Sequence, residues 1–253
     1  MTIVIIGSGN VATHLALALT CAGKEILQVY SRTLLYAEQL ANRVGAEPID
    51  DLNDLTLDAD TYLISVADAS IEEVVQKMPF VKGVVAHTAA SIGMFVLSRF
   101  THHGVFYPFQ TFTKEKPLDF KEIPLLLEAN GEATLTVLKS LGEAISDKVQ
   151  ESNESKRKAL HIAAVFACNF VNHLYALADG LLMESEMDFG ILAPLIRETT
   201  DKALSMHPQL AQTGPAHRSD TNVIASHLKN LGEGTMKYEI YQLLSQSIMK
   251  AEV

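Results

Sequence analysis

Ile3-Val4-Ile5-Ile6-Gly7-Ser8-Gly9-Asn10-Val11-Ala12 is the stretch that decides the fold. Four apolar residues read as a buried strand, and the glycines deliver it into a helix whose apolar positions, Val11, Leu15, Ala18 or Leu19 and Ala22, recur at helical spacing. Gly23 ends that helix. Ile26-Leu27-Gln28-Val29-Tyr30 then reads as a second strand and completes a βαβ unit within about thirty residues. Such a strand, glycine turn and helix aim backbone N–H groups at a pyrophosphate. Gly7 is expected to make the tight turn, Gly9 to let the backbone approach phosphate, and Ala12 to keep helix and strand close. Gly7, Ser8, Gly9, Asn10 and Val11 are the expected pyrophosphate contacts. GxGxxA alone is a weak signal, and the strand before it and the helix after it give it weight.

The end of the second strand tells which dinucleotide is expected. An Asp or Glu there would accept hydrogen bonds from the adenosine ribose 2′-OH. The chain instead reads Tyr30-Ser31-Arg32-Thr33, a guanidinium flanked by two hydroxyls, which suits the charge-assisted bonds of a 2′-phosphate. NADP is therefore expected over NAD, with Ser31, Arg32 and Thr33 as its specificity contacts.

Farther along, a helix is expected over residues 34–44, strands near 46–49, 61–66 and 83–87, and a helix over 71–78. Strands near 105–107 and 123–128 and a helix from 132 come next. Alternating strands and helices imply a doubly wound, mostly parallel sheet of Rossmann type. In such sheets ligands lie beyond the carboxyl ends of the strands, which nominates Val66, Ala67 and Thr88 for the nicotinamide side. After residue 131 helices take over. The polar stretch 147–154 reads as a link, dividing the chain into a dinucleotide-binding domain, 1–151, and an all-helical domain, 152–253. One long helix is expected over 155–184, a second over 189–206, and two more near 220–230 and 235–250.

At 253 residues and 48% hydrophobic content the chain is long enough for two cores. A formal charge of −10 argues against nucleic acid and anionic membrane as partners. Cys21 and Cys168 lie in apolar contexts and are expected as buried reduced thiols, which suits the cytoplasm. No signal peptide is expected, and the apolar stretch 159–170, interrupted by His161 and Asn169, reads as too short to span a bilayer. No histidine or cysteine spacing supports a metal. The pair His102-His103 is expected in a solvated loop.

On the long helix, at 100° per residue, Lys158, His161, Asn169 and Asn172 fall within about 80° of arc. His161 is the expected proton donor, because imidazole titrates near neutral pH and reduction of C=O or C=N needs a proton as well as a hydride. Lys158 is a rival acid and Asn169 a further catalytic candidate. Asn172, with Arg218 in Thr213-Gly214-Pro215-Ala216-His217-Arg218, is expected to grip an anionic substrate, and Ser219 or Asp220 to cap the next helix.

GSGNVA (7–12), YSRT (30–33), HTAAS (87–91), YPFQTF (107–112), LHIAAVFACNFVNHLY (160–175) and TGPAHR (213–218) together resemble a family of bacterial Rossmann-like proteins. Its members carry a helical C-terminal domain of unknown function and are often named as NADP oxidoreductases. The resemblance spans nearly the whole chain. More distantly the layout is similar to pyrroline-5-carboxylate reductase and 6-phosphogluconate dehydrogenase. These likenesses imply an NADP domain, a helical partner domain with the site between them, and a homodimer through the helical domains. The family's aromatic loop commonly reads HPLQTF, and this chain has Tyr107 where that histidine stands. The GxGxxxKxxN pattern of β-hydroxyacid dehydrogenases is absent. The expected function is transfer of a hydride between NADP and a small anionic carbonyl or imine compound. The alternative is a non-catalytic NADP-binding sensor or regulatory protein.

Overall fold

β1 (Thr2–Ile6) sends Ile3 and Ile5 to one face of the sheet and Val4 and Ile6 to the other, all four fully buried. A strand apolar on both faces belongs inside a parallel sheet covered by helices on both sides. In the computed structural model, which describes residues 1–250, β1 lies at that position. The chain continues as α1 (Asn10–Cys21), β2 (Glu25–Tyr30), α2 (Leu34–Val44), β3 (Glu47–Ile49), β4 (Thr61–Ile64), α3 (Ile71–Lys77), β5 (Val84–His87), β6 (His103–Pro108), β7 (Leu125–Ala129), α4 (Glu132–Ile145) and β8 (Val149–Glu151).

The eight strands run in the order β3-β2-β1-β4-β5-β6-β7-β8. Neighbours from β3 to β6 pair in parallel, β7 pairs antiparallel to β6, and β8 lies parallel to β7. This is a Rossmann-type doubly wound, mostly parallel sheet. The strand order reverses between β1 and β4, which opens a crevice at their carboxyl ends. One core packs Ile3, Ile5, Val29, Leu63 and Phe106 against α1, α2 and α4. The other packs Val4, Ile6, Tyr62, Ile64 and Val85 against α3 and the loops beside it.

Several local expectations change. β4 stops at Ile64, so Val66 and Ala67 form the turn after it rather than its last residues. The stretch read as a polar link contains β8, whose residues pair with Leu125, Leu126 and Leu127 of β7. Val149 is its only apolar residue, so it has no strand-like pattern to read. His103 is not in a solvated loop: it opens β6, is buried, and its Nδ1 lies 2.8 Å from the Phe100 carbonyl oxygen. Both cysteines are exposed rather than buried. Cys21 is at the last position of α1, where an apolar sequence context does not guarantee cover.

Beyond β8 the chain is helical: α5 (Glu154–Ala164), a π-helical segment Val165–Phe170, α6 (Val171–Met183), α7 (Ala193–Ser205), the single turn α8 (Pro208–Ala211), α9 (Thr221–Leu231) and α10 (Met236–Lys250). The expected long helix is thus one run, Glu154–Met183, of 30 residues. Its π segment breaks the uniform 100° step, since an i→i+5 turn takes up an extra residue and shifts the phase of all later positions on the helix. The single 80° arc for Lys158, His161, Asn169 and Asn172 therefore does not hold. The whole run is long and apolar enough to cross a bilayer by length and composition alone, which the stretch 159–170 read by itself did not show.

The chain divides into two compact units, Met1–Cys168 and Asn169–Val253. Among the described residues of the second, Ala216 and Ile224 are the only buried apolar side chains. Leu204, Leu210 and Leu243 are 83%, 71% and 67% exposed.

Candidate functional site

The carboxyl ends of β1, β2, β4 and β5 surround a cavity of about 440 Å³. Its lining includes Gly7, Ser8, Gly9, Asn10 and Val11 from the glycine turn, Ser31 and Arg32 from the end of β2, and Val66, Ala67 and Thr88 from the ends of β4 and β5. These ten are the expected dinucleotide residues other than Thr33. Thr33 is the N-cap of α2, its carbonyl accepts from the Tyr36 N–H, and it is exposed outside the lining.

Local structure explains why the turn leaves room. Gly7 has φ +128°, and a Cβ there would lie 2.1 Å from the Ser65 carbonyl oxygen, so only glycine lets β1 turn this close to β4. Gly9 has φ −76°, which any residue adopts, but a Cβ there would meet nothing within 4 Å. Without a side chain, Gly9 adds only backbone to the cavity wall. No side chain caps α1 and its first turn carries no acid, so the N–H groups at that end have no side-chain acceptor. Hydroxyls bridge the strand ends, Ser8 Oγ donating to Ser31 Oγ at 3.0 Å and Thr88 Oγ1 to Ser65 Oγ at 3.2 Å. The aromatic loop ties itself to α1. Asn10 Nδ2 donates to the Phe112 carbonyl at 2.9 Å, and the buried His14 ring contacts the Thr113 carbonyl at 2.9 Å.

Residues that sequence reading missed also line the cavity, among them Tyr30, Asp68, Glu73 and Lys77. Lys77 pairs with Glu73 at 2.7 Å, and the pair holds the ammonium above and the carboxyl below their usual ranges. Both come from α3, some forty residues after Arg32, so only the sheet's crossover brings them to the same cavity. An i,i+4 Glu–Lys pair reads in sequence as an ordinary solvated helix face.

A second group of polar side chains sits at the β5 and β6 ends. Arg157 of α5 is fully buried, pairs with Glu128 of β7, and donates through Nη2 to the Ile92 carbonyl at 3.3 Å. Its Nε has no partner among the described residues. Burial and the Arg157 charge push His87 down to about 4, partly opposed by the Gly93 backbone. The folded protein therefore keeps His87 neutral while the unfolded chain takes up a proton near pH 6.5. Stability contributed by the neutral ring is complete above pH 6.5 and is lost as pH falls from there to 4, by about 3 kcal/mol. In His87→Asn the acid limb of a melting-temperature profile should flatten over that window. An unchanged limb would mean that His87 is not the group responsible.

His161, one turn after Arg157, places Nδ1 3.4 Å from Tyr107 Oη, a long hydrogen bond. Lys158 is instead engaged with Glu154 at 2.5 Å in a surface i,i+4 pair. Lys158 and His161 belong to the first compact unit, and Asn169, Asn172 and Arg218 to the second. Asn169 lies in the π segment, Asn172 on α6, and Arg218 in the turn before α9, where its N–H donates to the Gly214 carbonyl at 3.3 Å. All three are exposed. Asp220, not Ser219, caps α9, accepting from the Val223 N–H at 3.2 Å. Among the described residues no three His, Cys, Asp or Glu side chains gather as a metal site.

Comparison with known proteins agrees with this architecture. Residues 1–109 match a Rossmann-like domain and residues 123–248 match DUF2520, a domain of unknown function. No curated protein matches the chain. A Bacteroides fragilis structure described as a "putative NADP oxidoreductase" is 43% identical over 99% of this chain and 98% of its own, with a TM-score of 0.92. An Aspergillus terreus reductive aminase in complex with NADPH shares 15% identity over 99% of this chain and 93% of its own, with a TM-score of 0.73. The pyrroline-5-carboxylate reductase of Streptococcus pyogenes shares 13% identity over 99% of each chain, with a TM-score of 0.65. The last two likenesses show the fold alone. With a Rossmann-like domain at its start, DUF2520 after it and 43% identity along the whole length of the Bacteroides protein, the chain belongs to the family of Rossmann-like proteins with a DUF2520 C-terminal domain.

Proposed function

We propose that this protein is an NADP-dependent oxidoreductase that passes a hydride between bound nicotinamide and a small anionic carbonyl or imine compound. The observation that supports it is a cavity joining an uncapped helix N-terminus, the open space at Gly9 and the Arg32 guanidinium at the carboxyl ends of a parallel sheet. The names of the similar structures, which include an NADP oxidoreductase, a reductase and an NADPH complex, point the same way. In this reading residues 1–151 bind NADP, and 152–253 supply substrate contacts and the dimer interface.

NADP, when bound, supplies the hydride donor or acceptor at nicotinamide C4. Backbone N–H groups at Gly9, Asn10 and Val11 hold the pyrophosphate, and Ser8 holds Ser31 in place. Arg32 grips the 2′-phosphate beside Ser31 and Thr33, with Lys77 as a second cation. Val66, Ala67 and Thr88 line the nicotinamide side, and His161 provides the proton. Asn169 is assigned to catalysis, and Asn172 and Arg218 to the anionic group of the substrate, on their chemistry. The engagement of Lys158 with Glu154 makes it the least favoured of the proposed proton donors.

Titration with NADPH and NADH, read as thermal stabilisation, tests the cofactor assignment, because a ligand bound only by the folded state raises its stability. NADPH should stabilise the protein far more than NADH. In Arg32→Ala the NADPH affinity should fall about 10- to 100-fold, the worth of one charge-assisted contact, with little change for NADH. An unchanged preference would remove Arg32 from the phosphate site. NADPH binding with no turnover of any carbonyl or imine compound would favour the sensor reading.

A homodimer through the helical domain is part of the same proposal. Ile162, Met183, Ile191, Leu195, Leu204 and Leu243 are all exposed, far more apolar surface than a lone helical unit gains by leaving to water. A bilayer suits the long helix less well. Arg157 and His161 are engaged with β7 and β6, and Asn169, Asn172 and Asp179 are costly groups in hydrocarbon. Sedimentation equilibrium should give twice the 27.6 kDa chain mass, and a monomer would exclude this interface.

A further inference from the structure

We propose that Tyr107 is the residue that hands the proton to the substrate, with His161 behind it to replace that proton. The inference rests on the oxidoreductase reading above and moves the direct proton donor within it from His161 to Tyr107, leaving His161 as the source of the replacement proton.

The placement comes from strand register. β5 and β6 run parallel with His87, the last residue of β5, opposite Val105, so Tyr107, two residues on, lies past the carboxyl end of β5, the end from which Thr88 and Ala89 line the cavity. Side chains two apart on a strand share a face, which puts Tyr107 on the same side of the sheet as Val105. Phe106, between them, is buried in the opposite core with α1 and α4. The phenol is thus at the carboxyl edge, where ligands of open α/β sheets lie. Its ring meets Phe109 edge to face at 6.2 Å between centroids, which steadies it.

The charged surroundings suit a donor. Three groups face Tyr107: Asp68 from the turn after β4, itself a cavity-lining residue, and Arg157 and His161 from α5. Burial and Asp68 push the phenol above its usual value, and the Arg157 cation works against them. The phenol consequently keeps its proton until something basic takes it, and Arg157 steadies the anion left behind. His161 Nδ1 lies 3.4 Å from the phenol oxygen while its ring is exposed. It can exchange with water and return a proton inward.

The substrate carbon of C=O or C=N gains a hydride from bound NADPH, and the substrate oxygen or nitrogen takes the Tyr107 proton as the phenol O–H bond breaks. The phenolate then takes a proton from His161, whose exposed ring takes one back from solvent. One hydride and one proton give CH–OH or CH–NH, and NADPH leaves as NADP+.

The test uses the full chain with NADPH and a panel of 2-oxo acids, aldehydes and cyclic imines. Tyr107→Phe keeps the ring and its contact with Phe109. Its kcat should fall about 100-fold on any compound the wild type turns over, with NADPH-induced stabilisation unchanged. His161→Gln should lose less, and added imidazole should restore part of that loss, because an amide can hold the phenol but cannot return its proton. Full turnover by Tyr107→Phe overturns the proposal and leaves the oxidoreductase reading standing. Loss of NADPH stabilisation in that variant also overturns it, by placing the phenol in cofactor binding. A wild type that binds NADPH and turns over nothing on the panel overturns the oxidoreductase reading, and this proposal with it.

Discussion

Glu128→Ala is expected to lower the stability of the protein by about 3–5 kcal/mol, the usual cost of leaving a buried charge without its partner. For a chain of this size that is roughly 10 °C or more in melting temperature. Arg157 is fully buried and its other contact is one bond to the Ile92 carbonyl, so the guanidinium has no water to turn to when the carboxylate is removed. Glu128 keeps about a fifth of its side chain exposed, so the converse change should cost less. Arg157→Met replaces the cation with an apolar side chain of similar length and frees Glu128 to hydrate. If the charge and not the packing is at stake, Glu128→Ala combined with Arg157→Met should recover most of the loss. Additive effects in that cycle, measured by chemical denaturation, would rule out a coupled pair.

Gly7→Ala is expected to abolish folding or to cost more than about 4 kcal/mol. The new Cβ would stand 2.1 Å from the Ser65 carbonyl oxygen and 2.7 Å from its carbon, both backbone atoms of the adjacent strand end, and φ is +128°. No rotamer change relieves such a clash, and the strand pair that would have to separate is the centre of the sheet. Gly9→Ala is its counterpart. That position has ordinary backbone and open space, so the variant should melt within about 1 °C of wild type yet lose most of its NADPH-induced stabilisation. A Gly9→Ala protein that binds NADPH normally would remove the pyrophosphate from the glycine turn.

How far the fold could be read in advance depended on whether a segment's own pattern carried its environment. α2 falls on residues 34–44 as its periodicity implies, and β1, the glycine turn and α1 emerge from a dozen residues, because apolar runs, glycines and helical spacing are local signals. β8 was not readable. It is short and mostly polar, and it becomes a strand because β7 presents an edge to it. The π segment was hidden as well, since nothing in VFACNF distinguishes an i→i+5 turn from an α-helical one. Exposure of Cys21 was equally invisible, because an apolar neighbourhood in sequence does not state what covers it.

The candidate site divides along the same line. By itself the sequence determined the α/β class, the place of the glycine turn and a cation, Arg32, directly after β2, since each depends on neighbours within a few positions. Only the tertiary structure decided that Glu73 and Lys77 share a cavity with Arg32, that Arg157 is buried against Glu128, and that the Tyr107 phenol meets the His161 imidazole. These pairings join residues separated by about 29 to 54 positions, and only the parallel crossovers of the sheet and the docking of α5 on its edge bring them within reach of one another.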